Sequence, residues 1–242
     1  MSRHLESPTI GDIVAADFRT AEVFERFGID FWCGGRRSFD DACRSAAVDP
    51  GVVLKALNAI SRRHTEADDV ARWPLDGLID HIEAVHHAYV RQALPSIARH
   101  LGKLVEAHGS RHPELVTVGD VFAGLSEELL QHMLKEERVL FPYVRDLVEQ
   151  QRAACGRIIS PFGTVENPIR MMEREHREAA GALQVIRELT GGYAVPDDGC
   201  ATYAVCMAEL AQFERDLHRH VHLENNVLFP RAVALEQPAS AP

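Results

Sequence analysis

The chain has 242 residues and a formal net charge of −10, with basic residues only in short pairs such as Arg36-Arg37 and Arg62-Arg63. No patch tracks a phosphate backbone, so nucleic acid is not an expected partner. The opening MSRHLESPTI lacks an apolar h-region and no run of about 18 apolar residues follows, which argues against secretion and membrane insertion and for a cytoplasmic protein.

In chain order, GDIVAADFRTAEVFERFG (11–28) places Val14, Phe18, Ala21, Phe24 and Phe27 at helical spacing with Gly28 as C-terminal cap, which predicts one helix. Ser38 to Asp41 reads as a capping box, and Asp49-Pro50 as an N-cap followed by the proline favoured at the first helical position, so two short helices follow. Residues 1–65 therefore form a small helical domain. The polar, aperiodic stretch before Pro74 gives a linker over 66–73. Four long helical segments come next, near 74–107, 115–150, 166–190 and 198–233, separated by GSRHPE, CGRIISPFGT and GGYAVPDD. No alternating strand pattern competes. The fold class is all-α, with an up-down-up-down four-helix bundle over 74–235 and a tail over 236–242.

HMLKEERVLFP (132–142) and HVHLENNVLFP (220–230) share H-x-x-x-E-x-x-V-L-F-P. On the second long helix Phe122, Leu125, Leu129, His132, Glu136, Leu140 and Tyr143 recur at steps of three or four, and on the fourth so do Leu210, Phe213, Leu217, His220, Glu224 and Val227. Each His and Glu thus lies on the apolar stripe. An uncompensated buried carboxylate costs several kcal/mol or takes up a proton, and a cation in the core removes the conflict. Two metal-free readings stand beside it: an i,i+4 surface pair, and a core His hydrogen-bonded to Glu.

The third helix has one histidine, His176, followed by Ala179, Leu183 and Ile186. The first aligns with it when His87 is followed by Val90, Leu94 and Ile97. His87 and His176 stand 45 and 44 positions before the motif histidines, so the bundle reads as two copies of one hairpin. Periodicity alone favours His86, nearer the centre of the stripe through Ile79, Val90 and Ile97; the alignment makes His86 the counterpart of Glu175, beside the site. His81, His100, His108, His112, His218 and His222 read as surface or loop residues.

Four imidazoles and two carboxylates suit iron, manganese or zinc, and the absence of Cys argues against a closed structural zinc site. If each Glu bridges two metals, each metal has two His nitrogens and two carboxylate oxygens, which leaves room for an oxo bridge and an outside molecule. Iron fits that open centre best. Glu128, one turn before His132, and Glu175 could line a polar route to it, or belong to a solvated helix edge. Five cysteines (Cys33, Cys43, Cys155, Cys200, Cys206) fit neither a disulfide framework nor a C-x-x-C site and read as reduced thiols.

These residues resemble the di-iron proteins for repair of iron centres, the YtfE/ScdA iron-sulfur cluster repair family, whose bundle is hemerythrin-like. The resemblance runs from about Val14 to Arg231 and is carried by the two motifs above, by M-E-R-E-H-R-E-A, and by F-G-I-D-F-W-C-G-G near the amino terminus. It implies an oxo-bridged di-iron centre on His87, His132, Glu136, His176, His220 and Glu224, the six residues that position had already marked. His108 also matches a histidine of the family pattern. Members usually carry two adjacent cysteines before Gly-Gly, whereas here Trp32 precedes Cys33, so Cys33 must act alone or with Cys43 if a thiol passes iron or nitric oxide. The implied function is repair of iron-sulfur clusters damaged by oxidants or nitric oxide, by donation of iron to damaged or apo iron-sulfur proteins. The rivals are a nitric oxide-reducing enzyme and a hemerythrin-like carrier or sensor of oxygen or nitric oxide. Pairing of two chains is left open.

Overall fold

The computed structural model describes residues 8–60, 70–153 and 160–237; Cys155, residues 66–69 of the 66–73 linker and the 238–242 part of the tail lie outside them. Among the described residues there is no strand, only one isolated bridge between Thr9 and Ser38. The chain divides into two compact units, Ile79–His218 and Met1–Leu78 with Arg219–Pro242.

The second unit begins with four short helices, α1 (Ile10–Ala16), α2 (Ala21–Arg26), α3 (Phe39–Ser45) and α4 (Pro50–Asn58). The single helix expected over 11–28 is broken. Asp17 leaves the helix in extended conformation, its carboxylate takes Arg19 Nε at 2.8 Å, and Thr20 Oγ1 donates to Asp17 O at 2.7 Å. These local bonds replace the helical ladder, and Phe18–Thr20 winds as a 3₁₀ turn. The other signals act where they were read. Ser38 accepts from Asp41 N, Asp49 accepts from Gly51 N, and Gly28 closes α2 at φ +65°. Ile10, Val14, Phe24, Ile29, Phe31, Cys43 and Val53 form the core of these helices.

Four helical rods follow. The first is α5 (Leu75–His81), a π-helical segment Ile82–His87 and α6 (Ala88–His108), which continues through Pro95. The second is α7 (Glu114–Lys135), a π segment Glu136–Leu140 and α8 (Phe141–Ala153). The third is α9 (Glu166–Leu189), α-helical throughout. The fourth is α10 (Ala201–His222), a π segment Leu223–Leu228 and α11 (Phe229–Glu236). α10 runs unbroken through the residues where the two units divide. Within Ile79–His218, α7 packs against α6 and α9, and Phe213 of α10 is fully buried against Phe122 and Tyr89, with ring centroids 5.8 and 6.5 Å away. On α9 the buried residues Ile169, Met172, His176, Ala179, Leu183 and Ile186 fall three or four apart, so His176 occupies a core position by register alone.

The π segments were not foreseen. A π turn inserts a residue into the helical ladder and is common at functional sites. The three here hold His87, Glu136 and Glu224.

Candidate metal centre

His132 sits in the last turn of α7 and Glu136 opens the π segment after it, so the i,i+4 spacing sets His132 Nε2 3.4 Å from Glu136 Oε1. The other carboxylate oxygen lies 3.4 Å from His87 Nε2. His176 comes in from α9, its Nε2 3.0 Å from that of His132. In the second copy of the motif His220 Nε2 is 2.9 Å from Glu224 Oε1. All six residues are at most 3 % exposed. Ligand-capable atoms of His87, Glu136, His220 and Glu224 lie within 4.8 Å of one another, and so do those of His132, Glu136, His176 and Glu224. Both carboxylates belong to both groups.

The donor set fits a metal. Two imidazole nitrogens 3.0 Å apart have the separation of two ligands each about 2.1 Å from one ion and about a right angle apart. Imidazole with carboxylate is the donor chemistry of borderline first-row ions.

Each of two ring histidines is held from behind. His132 Nδ1 lies 2.8 Å from Glu175 Oε2. That carboxyl is held down to about 2, chiefly by the His132 bond, with Lys135 adding to it. His87 Nδ1 lies 2.7 Å from Glu137 Oε1, and Arg91 donates to both Glu137 oxygens at 2.6 and 2.7 Å. Burial raises the Glu137 carboxyl, but the Arg91 and His87 bonds outweigh it and hold it below its ordinary value. A carboxylate only accepts, so the proton sits on Nδ1 and the Nε2 lone pair faces the other donors. Glu175 thus stands directly behind His132. Glu137 was missed. Its only signal was its position, where the second motif has Asn225.

His86 is absent from both groups. Its Nδ1 is 3.1 Å from Asp216 Oδ1 and its ring stands edge-on to His81, centroids 5.6 Å apart. Glu128 is exposed and lines a cavity of about 400 Å³ with Glu127, Gln131, Lys135 and Glu175, which reaches His132 and His176.

Three histidines expected at the surface are buried: His108 is 5 %, His218 6 % and His222 0 % exposed. The fourth rod is covered on more than one face, so residues turned away from His220 meet other partners. His218 Nε2 lies 3.9 Å from Glu214, which Arg187 holds. His222 packs on Phe31, centroids 5.6 Å apart, and burial lowers its imidazole to about 4. His108 Nε2 reaches Cys200 Sγ at 3.4 Å. His100 pairs with Glu209 at 2.6 Å and His112 with Asp198 at 2.9 Å, both half-buried.

Cys33, Cys43, Cys200 and Cys206 are not joined in a disulfide. The His108 bond lowers exposed Cys200 to about 7, whereas burial raises Cys43, and raises Cys206 to about 12. In the folded protein Cys200 should therefore alkylate with a half-maximal rate near pH 7 while Cys43 and Cys206 stay unmodified. Peptide-level mass spectrometry after iodoacetamide at several pH values reads this. A Cys200 rate still rising steeply above pH 9 would contradict it.

Known proteins share this organisation. Residues 78–232 match the hemerythrin HHE cation binding domain, and residues 6–61 match ScdA_N, a domain of unknown function (DUF542). The iron-sulfur cluster repair protein YtfE of Cronobacter sakazakii is 32 % identical over 94 % of this chain and 97 % of its own. That of Dickeya chrysanthemi is 31 % identical over 95 % and 98 %. The chain belongs to the YtfE/ScdA family. A ScdA relative from Staphylococcus haemolyticus, also called an iron-sulfur cluster repair protein, is 28 % identical over 91 % of this chain and 95 % of its own. In this YtfE/ScdA family member all six cluster residues fall in the cation-binding segment and Cys33 in the ScdA_N segment. No helix among the described residues is long and apolar enough to cross a membrane.

Proposed function

We propose that this protein repairs iron-sulfur clusters damaged by oxidative or nitrosative stress, by donating iron from a two-iron centre held by His87, His132, Glu136, His176, His220 and Glu224. The observation that carries this reading is the sharing of Glu136 and Glu224 by both four-donor groups. The relatives' names supply the process. Bound iron would supply a redox-active, transferable cation. The protein's own residues would orient the imidazoles, through Glu175 and Glu137, and keep the centre in an apolar core.

The composition of the site favours release over storage. Two carboxylates among six donors give it less negative charge than a carboxylate-rich site, so iron should be held less tightly. The cavity beside His132 and His176, with Glu127, Glu128 and Glu175 on its wall, is the route we assign to the departing cation. The helical domain over 1–65 would add Cys33 as a single thiol, and the cytoplasm, a reducing compartment, is where we place the protein. The test loads the protein with isotopically labelled iron and offers it an apo iron-sulfur protein and a chelator in turn. Faster transfer to the apo protein is expected; transfer no faster than to the chelator would defeat the donor reading.

The same cavity admits a molecule the size of nitric oxide, so its reduction is a second reading. Product formed over many turnovers would favour it, and a single reaction per site would not.

A further inference from the structure

The duplicated motif is not used the same way twice. Aligning His132 with His220 pairs Leu134, Glu137 and Arg138 of the first copy with His222, Asn225 and Asn226 of the second, while His, Glu and V-L-F-P are kept. In the first copy Glu137 turns to His87, and Arg138 is exposed. In the second copy these three of the five differing residues meet the loop that carries Cys33. The His222 ring lies 5.6 Å from that of Phe31. Asn225 Nδ2 is 3.4 Å from Trp32 O, and Asn226 Nδ2 donates to Phe31 O at 3.1 Å and to Trp32 O at 3.0 Å. Asn226 Nδ2 also lies 3.1 Å from His222 Nδ1, which ties those two together.

The loop is shaped to receive this side chain. A Cβ on Gly35 would fall 2.1 Å from Asn226 Oδ1, and one on Gly11 would fall 2.9 Å from the same atom. Gly11 N donates to Gly35 O at 2.8 Å, so the two glycines are fastened to each other around the asparagine. The Gly34-Gly35 pair after Cys33 therefore has a steric reason at its second member: only a residue without a side chain leaves room for Asn226. Glu224, Asn225 and Asn226 all lie in the π segment Leu223–Leu228. The backbone that presents Glu224 to the other donors is thus the backbone that grips Phe31 and Trp32, the two residues before Cys33.

We propose that Asn226, with His222 and Asn225, is a clasp through which the metal centre controls the exposure of Cys33. This rests on Glu224 being a metal ligand, as proposed above. An ion on Glu224 fixes the π segment in the clasped conformation, and by reciprocity the clasped loop raises affinity for the ion. Loss of the ion frees the segment, opens the loop and uncovers the thiol. Asn226 is a positioning residue: it acts through the loop and touches no reactant.

The test measures Cys33 alkylation by iodoacetamide in the full chain, resolved by peptide mass spectrometry, with and without iron. In the wild type, iron should slow the reaction about fivefold or more, within the usual range of coupling between sites. In metal-free protein, Asn226→Ala should react at least as fast as open wild type, and iron should no longer protect it. Arg138→Ala, at the equivalent position of the first copy, should behave as wild type. The cradle is tested separately by thermal melts of metal-free protein. Gly35→Ala should lower the midpoint, and that loss should shrink in Gly35→Ala/Asn226→Ala, where the clashing atoms are gone. Additive losses would overturn the clasp whatever the protein binds, and iron that protects Cys33 in Asn226→Ala as well as in the wild type would overturn its link to the metal. Equal rates with and without bound iron in the wild type would overturn the coupling. Failure to bind iron at all would instead sink the functional reading, and the coupling with it, while the clasp would stand or fall on the metal-free arms.

Discussion

Glu136→Ala and Glu224→Ala should each lose iron from both positions rather than from one, because each carboxylate belongs to both four-donor groups. His176→Ala, which touches a single group, should by contrast leave part of the iron in place. The loss in affinity on removing a carboxylate should exceed the roughly 10–100-fold that follows removal of an outer partner of a metal ligand. Glu175→Gln, which alters only the support of His132 at 2.8 Å, is the natural comparison at that lower level. The metal-free proteins give an independent check. Both glutamates are fully buried, so without metal the carboxylates carry a desolvation cost, and Glu→Gln at either position should leave metal-free stability unchanged or higher. Elemental analysis and a thermal melt of each variant decide the matter. Half-loss in both Glu→Ala variants would mean that each serves one ion alone.

Phe213→Ala should cost about 3–5 kcal/mol of stability, the usual range for removing a buried aromatic side chain. The residue is 0 % exposed and lies between Phe122 on α7 and Tyr89 on α6, so its ring joins three of the four rods. Urea denaturation of the metal-free protein is the measurement to use, since bound metal would add its own stabilisation to the folded state. Val205→Ala on the same helix, at a position 46 % exposed, should change stability by less than about 0.5 kcal/mol. A cost below about 1 kcal/mol at Phe213 would mean that the rods can close over the gap.

Most of the bundle was legible because apolar residues at steps of three and four carry their own register; His176 needed nothing more than its place between Met172 and Ala179. Its first helix shows where that reasoning fails. The stripe through Ile79 and Val90 favours His86, yet His87 is the residue in the four-donor group. Between those anchors lies the π segment Ile82–His87, and one inserted residue turns the face by about 100°, so a 3.6-residue period cannot be carried across it. The hairpin alignment pointed to His87 because it compared equivalent positions and assumed no period. The break at Asp17 is hidden for a different reason: Val14, Ala21 and Phe24 keep helical spacing across it, and the Asp17–Arg19 and Thr20–Asp17 bonds that interrupt the ladder leave no mark on that period. His108 and His222 are buried where the sequence predicts surface or loop positions. Their partners, Cys200 and Phe31, lie 92 and 191 positions away in sequence, beyond the reach of local pattern.

Six side chains are proposed to hold two iron ions. Elemental analysis of the wild-type chain, produced with ample iron and freed of loosely bound metal, tests it most directly. About two irons per chain is the predicted result. Iron well below one per chain, with no other transition metal in its place, would contradict the account and leave the duplicated motif as a pair of buried His-Glu contacts.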